Sequence, residues 1–117
     1  MKNNQRPIIC GTDFSIHAAE AANVAAAITK RVDGEVVLIH VEEHAGLGAS
    51  HPEVFSSVLD RTHEHLDKEA ERLRKLGAAV KAEILSGSPY EALVKAATAS
   101  SARLVVVASI GHIALGR

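Results

Sequence analysis

Residues 35–41 read Glu-Val-Val-Leu-Ile-His-Val. Four apolar side chains stand together at positions 36–39, and no polar residue alternates with them. A strand with one wet face would alternate. An unbroken β-branched run has to be covered on both faces, as strands of a parallel sheet are. The run Leu104-Val105-Val106-Val107-Ala108-Ser109 has the same character, and Pro7-Ile8-Ile9-Cys10-Gly11 is a shorter version of it. The stretch Ala79-Val80-Lys81-Ala82-Glu83-Ile84-Leu85 differs. There Val80, Ala82 and Ile84 share one side and Lys81 and Glu83 the other, which suits a strand nearer a sheet edge.

The segments between these runs have helical spacing. Ile16 to Val32 is rich in alanine, a strong helix former whose small side chain lets a helix lie close to a sheet. Gly34 follows it as a natural stop. Pro52 to Leu76 places Phe55, Leu59, Leu66, Ala70 and Leu73 on one side among many charges, an amphipathic surface helix ended by Gly77. Pro89 to Ser100 begins with Ser88 as N-cap and Pro89 at the first helical position, and carries Leu93, Val94 and Ala97 as its apolar side. The order β-α-β-α-β-α-β predicts an α/β fold: an open parallel sheet with right-handed crossovers and helices on both faces. Glu42 to Pro52, with Gly46, Gly48 and two His, reads as a mobile loop at the carboxyl end of the second strand.

At 117 residues the chain has room for one domain. Thirteen Lys and Arg against fourteen Asp and Glu leave it near neutral, with no electrostatic footprint for nucleic acid or an anionic membrane. Aromatic residues make up 3%, so platforms for base stacking are few and the core has to be aliphatic. The single cysteine, Cys10, excludes an intrachain disulfide and reads as a small core residue in a reducing compartment. The polar N-terminus lacks the apolar stretch of a signal peptide, and no run is long enough to span a bilayer. A cytoplasmic domain is expected.

In an open α/β sheet, ligands bind outside the carboxyl ends of the strands, where the strand order reverses. Those ends are Gly11-Thr12-Asp13, Val41-Glu42, Ser86-Gly87-Ser88 and Ser109-Ile110-Gly111. Asp13 stands where a ligand hydroxyl or amine would arrive. It or Ser15 could equally cap the first helix, and residue types alone favour neither reading. A cap explains less well why Thr12, Asp13 and Ser15 cluster. The chain has neither a G-x-x-x-x-G-K-[ST] loop nor a G-x-G-x-x-G after its first strand. The seven His form no H-E-x-x-H. His63 and His65, two apart on a helix, face different ways and read as solvated. His40 reads as a satisfied core residue. No catalytic set and no metal site emerge.

Four stretches in order resemble the universal stress protein family. They are Ile8-Ile9-Cys10-Gly11-Thr12-Asp13-Phe14-Ser15, then Val36 to Val41 ending in His40-Val41, then Gly87-Ser88-Pro89, and last Ala102 to Gly111. The resemblance implies a Rossmann-like sheet of order 3-2-1-4-5 and a homodimer. It also implies a stress-response or regulatory protein that is not an enzyme beyond slow nucleotide turnover. Some members of the family bind ATP, with Mg, through a loop of form G-x-x-G-(nine residues)-G-[ST]. Carried over, Thr12, Asp13 and Val41 would flank the adenosine, and Ser109 and Gly111 would approach the ribose and phosphates. Backbone N–H groups at a helix N-terminus hold phosphate without a cationic patch.

Three departures stand out. Ala108 occupies the place of the first loop glycine, Gly11 replaces a proline common before Thr-Asp, and Arg117 falls inside the nine-residue spacer. The expectation is therefore a single universal-stress-type domain over residues 1–117, truncated after strand four, of order 3-2-1-4. Its apolar fourth strand would be an edge that seeks a partner. The alternative function is an interaction or dimerisation module of the same fold that binds no nucleotide.

Overall fold

The computed structural model describes residues 6–43 and 52–108. The elements run β1 (Ile8–Gly11), α1 (Ile16–Val32), β2 (Val36–Glu42), α2 (Pro52–Lys75), β3 (Val80–Ser86), α3 (Pro89–Ser100) and β4 (Leu104–Val106). They coincide with the segments read from the apolar pattern to within one or two residues, save that β4 ends earlier. Most of the expected mobile loop, residues 44–51, lies outside the described residues.

The four strands are parallel in the order β3-β2-β1-β4. Register sets Ile8 beside Val36 and Leu104, and Val36 beside Val80. The period of two along each strand then divides the sheet into two faces. Ile8, Cys10, Val36, Leu38 and Val80 pack against Ala22, Ala25 and Ala26 of α1 and Leu66, Ala70 and Leu73 of α2. Ile9, Val37 and Ile39 point the other way, toward Leu93, Ala96 and Ala97 of α3. Burial pushes the Cys10 thiol up to about 12, with Glu69 adding to the effect, so it behaves as a core residue.

As its alternation predicts, β3 is an edge strand. Its Val80, Ala82 and Ile84 side joins the larger core. Lys81 and Glu83 on the other side form an ion pair at 3.7 Å. Among the described residues β4 is the opposite edge, where Leu104 and Val105 are each 41% exposed, so the expectation that its apolar run is covered on both faces is corrected: β1 flanks it on one side alone. Among the described residues no helix is long and apolar enough to cross a membrane.

Three local expectations are corrected. The left-handed stop of α1 is Asp33 (φ 55°), not Gly34, and its N–H bonds the Thr29 carbonyl. Asp tolerates this region better than most non-glycine residues, so the turn comes one residue early. Ser88 is the N-cap residue of α3 with Pro89 in its first turn, as expected, but its hydroxyl makes no capping bond. Val94 is 45% exposed, because the buried side of α3 runs through Leu93, Ala96 and Ala97 instead. Gly77 does take the left-handed conformation expected at the end of α2, with φ 101°.

Candidate functional site

The turn from β1 to α1 is built by its own side chains. The Thr12 N–H extends the sheet by bonding the Ile39 carbonyl at 2.9 Å. The Phe14 N–H donates to Thr12 Oγ1 at 3.0 Å, and the Ser15 N–H donates to Asp13 Oδ1 at 2.9 Å. Ser15 is the N-cap, its Oγ accepting the Ala18 N–H at 3.1 Å. The clustering of Thr, Asp and Ser thus has a structural cause: each satisfies a backbone donor that the turn would leave orphaned. Of the two candidates for the cap, Ser15 holds the role. The exposed Asp13 carboxylate sits one step outside it.

Asp13 is held below the ordinary carboxylate range by hydrogen bonding from Ser15, its hydroxyl first and then its N–H, with a smaller contribution from His40. It therefore presents a stable anion at the carboxyl end of β1.

A cavity of about 210 Å³ opens beside this turn. Thr12 and Asp13 line it from one side and Val41 from the end of β2; Leu93 and Ala108 help close it. Three of the five site residues read from the sequence are thus brought together. Ser109 and Gly111 lie outside the described residues. Gly11 forms part of the wall for a steric reason: a Cβ there would stand 2.8 Å from Leu93 Cδ1 and 3.2 Å from Val107 Cγ1. The absence of a side chain at position 11 lets α3 and the chain after β4 close over the end of β1.

The cavity is smaller than the roughly 300–1,000 Å³ of pockets that enclose a whole drug-sized ligand. It suits one part of a ligand, a base or a sugar, with the rest extending outward. A larger hollow, about 590 Å³, lies between α3 and the sides of β2 and β3, over Ile9, Val37, Lys81 and Glu83. It is sheet surface that α3 does not reach, away from the carboxyl ends where the polar turn is.

The reading of His40 as a core residue is also corrected. It is half-buried and lines the cavity. Its Nδ1 lies 2.8 Å from the Thr12 carbonyl oxygen, and its ring stacks on Phe14 with centroids 4.6 Å apart. Its Nε2 is 3.7 Å from Glu42 Oε2, the oxygen that accepts the Thr62 hydroxyl at 2.7 Å. A lone ring residue at the carboxyl end of an apolar strand, directly before Val41, was the signal available for it. His65 is exposed, as expected, yet its ring meets the edge of Phe14 at 5.4 Å. Among the described residues no group of three His, Cys, Asp or Glu could hold a metal ion.

An open parallel sheet with a small hollow at the strands' carboxyl ends, apolar for the most part and edged by Thr12 and Asp13, has the Rossmann-like α/β architecture. The universal stress protein family model matches residues 5–117, and the chain belongs to that family. Among solved structures, protein Rv1636 of Mycobacterium tuberculosis H37Rv is 26% identical with a TM-score of 0.70; the match covers 91% of this chain and 72% of that one. A universal stress family protein of Burkholderia pseudomallei is 20% identical with a TM-score of 0.74, covering 88% of this chain and 80% of that one. A universal stress protein solved in complex with cAMP is 19% identical with a TM-score of 0.74, covering 96% and 80%. At these last identities the likeness is one of fold. No curated protein matches the chain.

Proposed function

We propose that the domain binds an adenine nucleotide at the carboxyl ends of β1, β2 and β4. The observation that carries this reading is the cavity in which Thr12, Asp13 and Val41 converge at the ligand end of the sheet. Asp13 would accept a hydrogen bond from a ribose hydroxyl or an adenine amine. Val41 and Leu93 would provide an apolar seat for the base. Ser109 and Gly111 would meet the ribose and phosphates, with Mg²⁺ accompanying the phosphates of ATP. A family member solved with cAMP supports an adenine-containing ligand. In this reading the protein is a cytoplasmic homodimer that responds to nucleotide in stress or regulatory signalling, and it is not an enzyme.

Calorimetric titration with ATP and magnesium, with ADP and with cAMP tests it. Saturable binding to at least one is expected. Asp13→Ala should weaken it about tenfold, as the loss of a charge-assisted hydrogen bond does. The absence of binding to all three overturns the reading. A second reading, an interaction module of the same fold without nucleotide, is favoured by Ala108, which stands at the cavity where the nucleotide-binding loop has glycine. It predicts no titration heat together with self-association visible by light scattering.

A further inference from the structure

His40 reaches the candidate site through two contacts that flank a single residue. Ahead of Asp13, the Thr12 carbonyl oxygen lies 2.8 Å from His40 Nδ1. Behind it, the Phe14 ring stacks on the imidazole at 25° between planes. Phe14 is held at φ 67°, a left-handed conformation that a bulky side chain rarely adopts without support. The imidazole supplies that support on one side and a hydrogen bond on the other.

The chemistry of the contact also fixes the tautomer. A carbonyl oxygen has no proton to give, so Nδ1 is the donor and carries the hydrogen. Nε2 is then the nitrogen that faces Glu42 Oε2 at 3.7 Å. Glu42 is held in place by the Thr62 hydroxyl of α2 at 2.7 Å. Glu42 thus borders the far side of the ring without a hydrogen bond to it, and the bonded and stacked contacts of His40 are those to the two peptides around Asp13.

The geometry points to His40 as the positioning residue of the site, which holds the Thr12-Asp13-Phe14 turn so that the Asp13 carboxylate stands at the cavity. This inference rests on the nucleotide reading for its functional consequence, but the positioning itself can be read without ligand.

Nitrogen-15 NMR of the whole chain, free of nucleotide, should find neutral His40 protonated at Nδ1 and not at Nε2. The opposite tautomer overturns the inference. The variants separate position from bulk. The amide nitrogen of Asn can occupy the place of Nδ1, and that of Gln the place of Nε2. His40→Asn should therefore keep the Ser15 amide resonance, which reports the bond to Asp13, near its wild-type position. His40→Gln and His40→Leu should displace it. With ATP and magnesium as the probe, His40→Asn should bind within about twofold of wild type, and the Gln and Leu variants about five- to tenfold more weakly, the size of one lost hydrogen bond. A Gln variant that matches wild type in both readouts, or an Asn variant as impaired as Leu, overturns the inference. If the wild type binds none of ATP, ADP and cAMP, the nucleotide reading fails alone; the tautomer and the Ser15 resonance still decide the role of His40.

Discussion

Beneath α1 and α2 the sheet presents Ile8, Cys10, Val36 and Leu38, all fully buried, and the helices answer with Ala22, Ala25, Leu66 and Leu73, which are equally dry. Beneath α3 the same strands present Ile9, Val37 and Ile39, yet no residue of α3 itself is fully buried, and Tyr90 and Val94 stand well out in solvent. The strands offer similar residues to both sides, so the contrast comes from the cover. Stepping from β1 to β2 to β3 in one direction sends two right-handed crossovers to one face, and the single return to β4 sends one helix to the other. The lightly covered side is also where the cavity opens beside Gly11 and Leu93. Stability is concentrated on one face of this domain, and room for a ligand on the other.

The contrast can be broken by truncating one leucine from each face. Leu73→Ala, in the double-helix layer, should cost about 3 kcal/mol by chemical denaturation. Leu93→Ala should cost about 1 to 2 kcal/mol, because water already reaches that side chain. Equal losses would mean that the two layers are equally tight. Gly11→Ala drives a methyl group into Leu93 and Val107; about 1 kcal/mol is expected, as for other overpacked sites, with a smaller cavity as the structural readout.

The helix starts sharpen the comparison. Ser15→Ala should lower stability by about 1 kcal/mol, since its hydroxyl caps α1. Ser88→Ala at the head of α3 should stay within about 0.5 kcal/mol, since that hydroxyl makes no such bond. The smallest effect concerns pH. The folded Asp13 carboxyl titrates lower than in the unfolded chain, so its contribution is present above the unfolded value of about 4 and is lost as pH falls through the folded one. Asp13→Asn should therefore flatten the acid limb of the stability curve slightly and leave stability at neutral pH insensitive to further rise in pH.

The architecture was legible because its signals are local. The unbroken runs at 36–39 and 104–108 read as parallel strands and the alternation at 80–84 as an edge; the first run is covered on both faces, whereas β4 is itself an edge of the described sheet with Leu104 and Val105 exposed. The family resemblance then supplied the strand order. What escaped depends on contacts between distant residues or on torsions that residue type does not dictate. Asp33 and Gly34 are both plausible stops, and the backbone chose the first. The hydroxyl of Ser15 turns toward its helix and that of Ser88 does not. The role of His40 requires residues 12 and 14 to be brought to it, and no periodicity reports that. Thr12, Asp13 and Val41 were found because strand ends are readable. What makes them a site, the stacked Phe14 and the room above Gly11, was not.

Lys81 and Glu83 give the sheet a direction of growth. An edge strand that carries an ion pair is a poor template for another strand, whereas the β4 edge, with Leu104 and Val105 half open, is a good one. Among the described residues, the side of the sheet open to strand addition is therefore that of β4, and the β3 side is the one its charges protect.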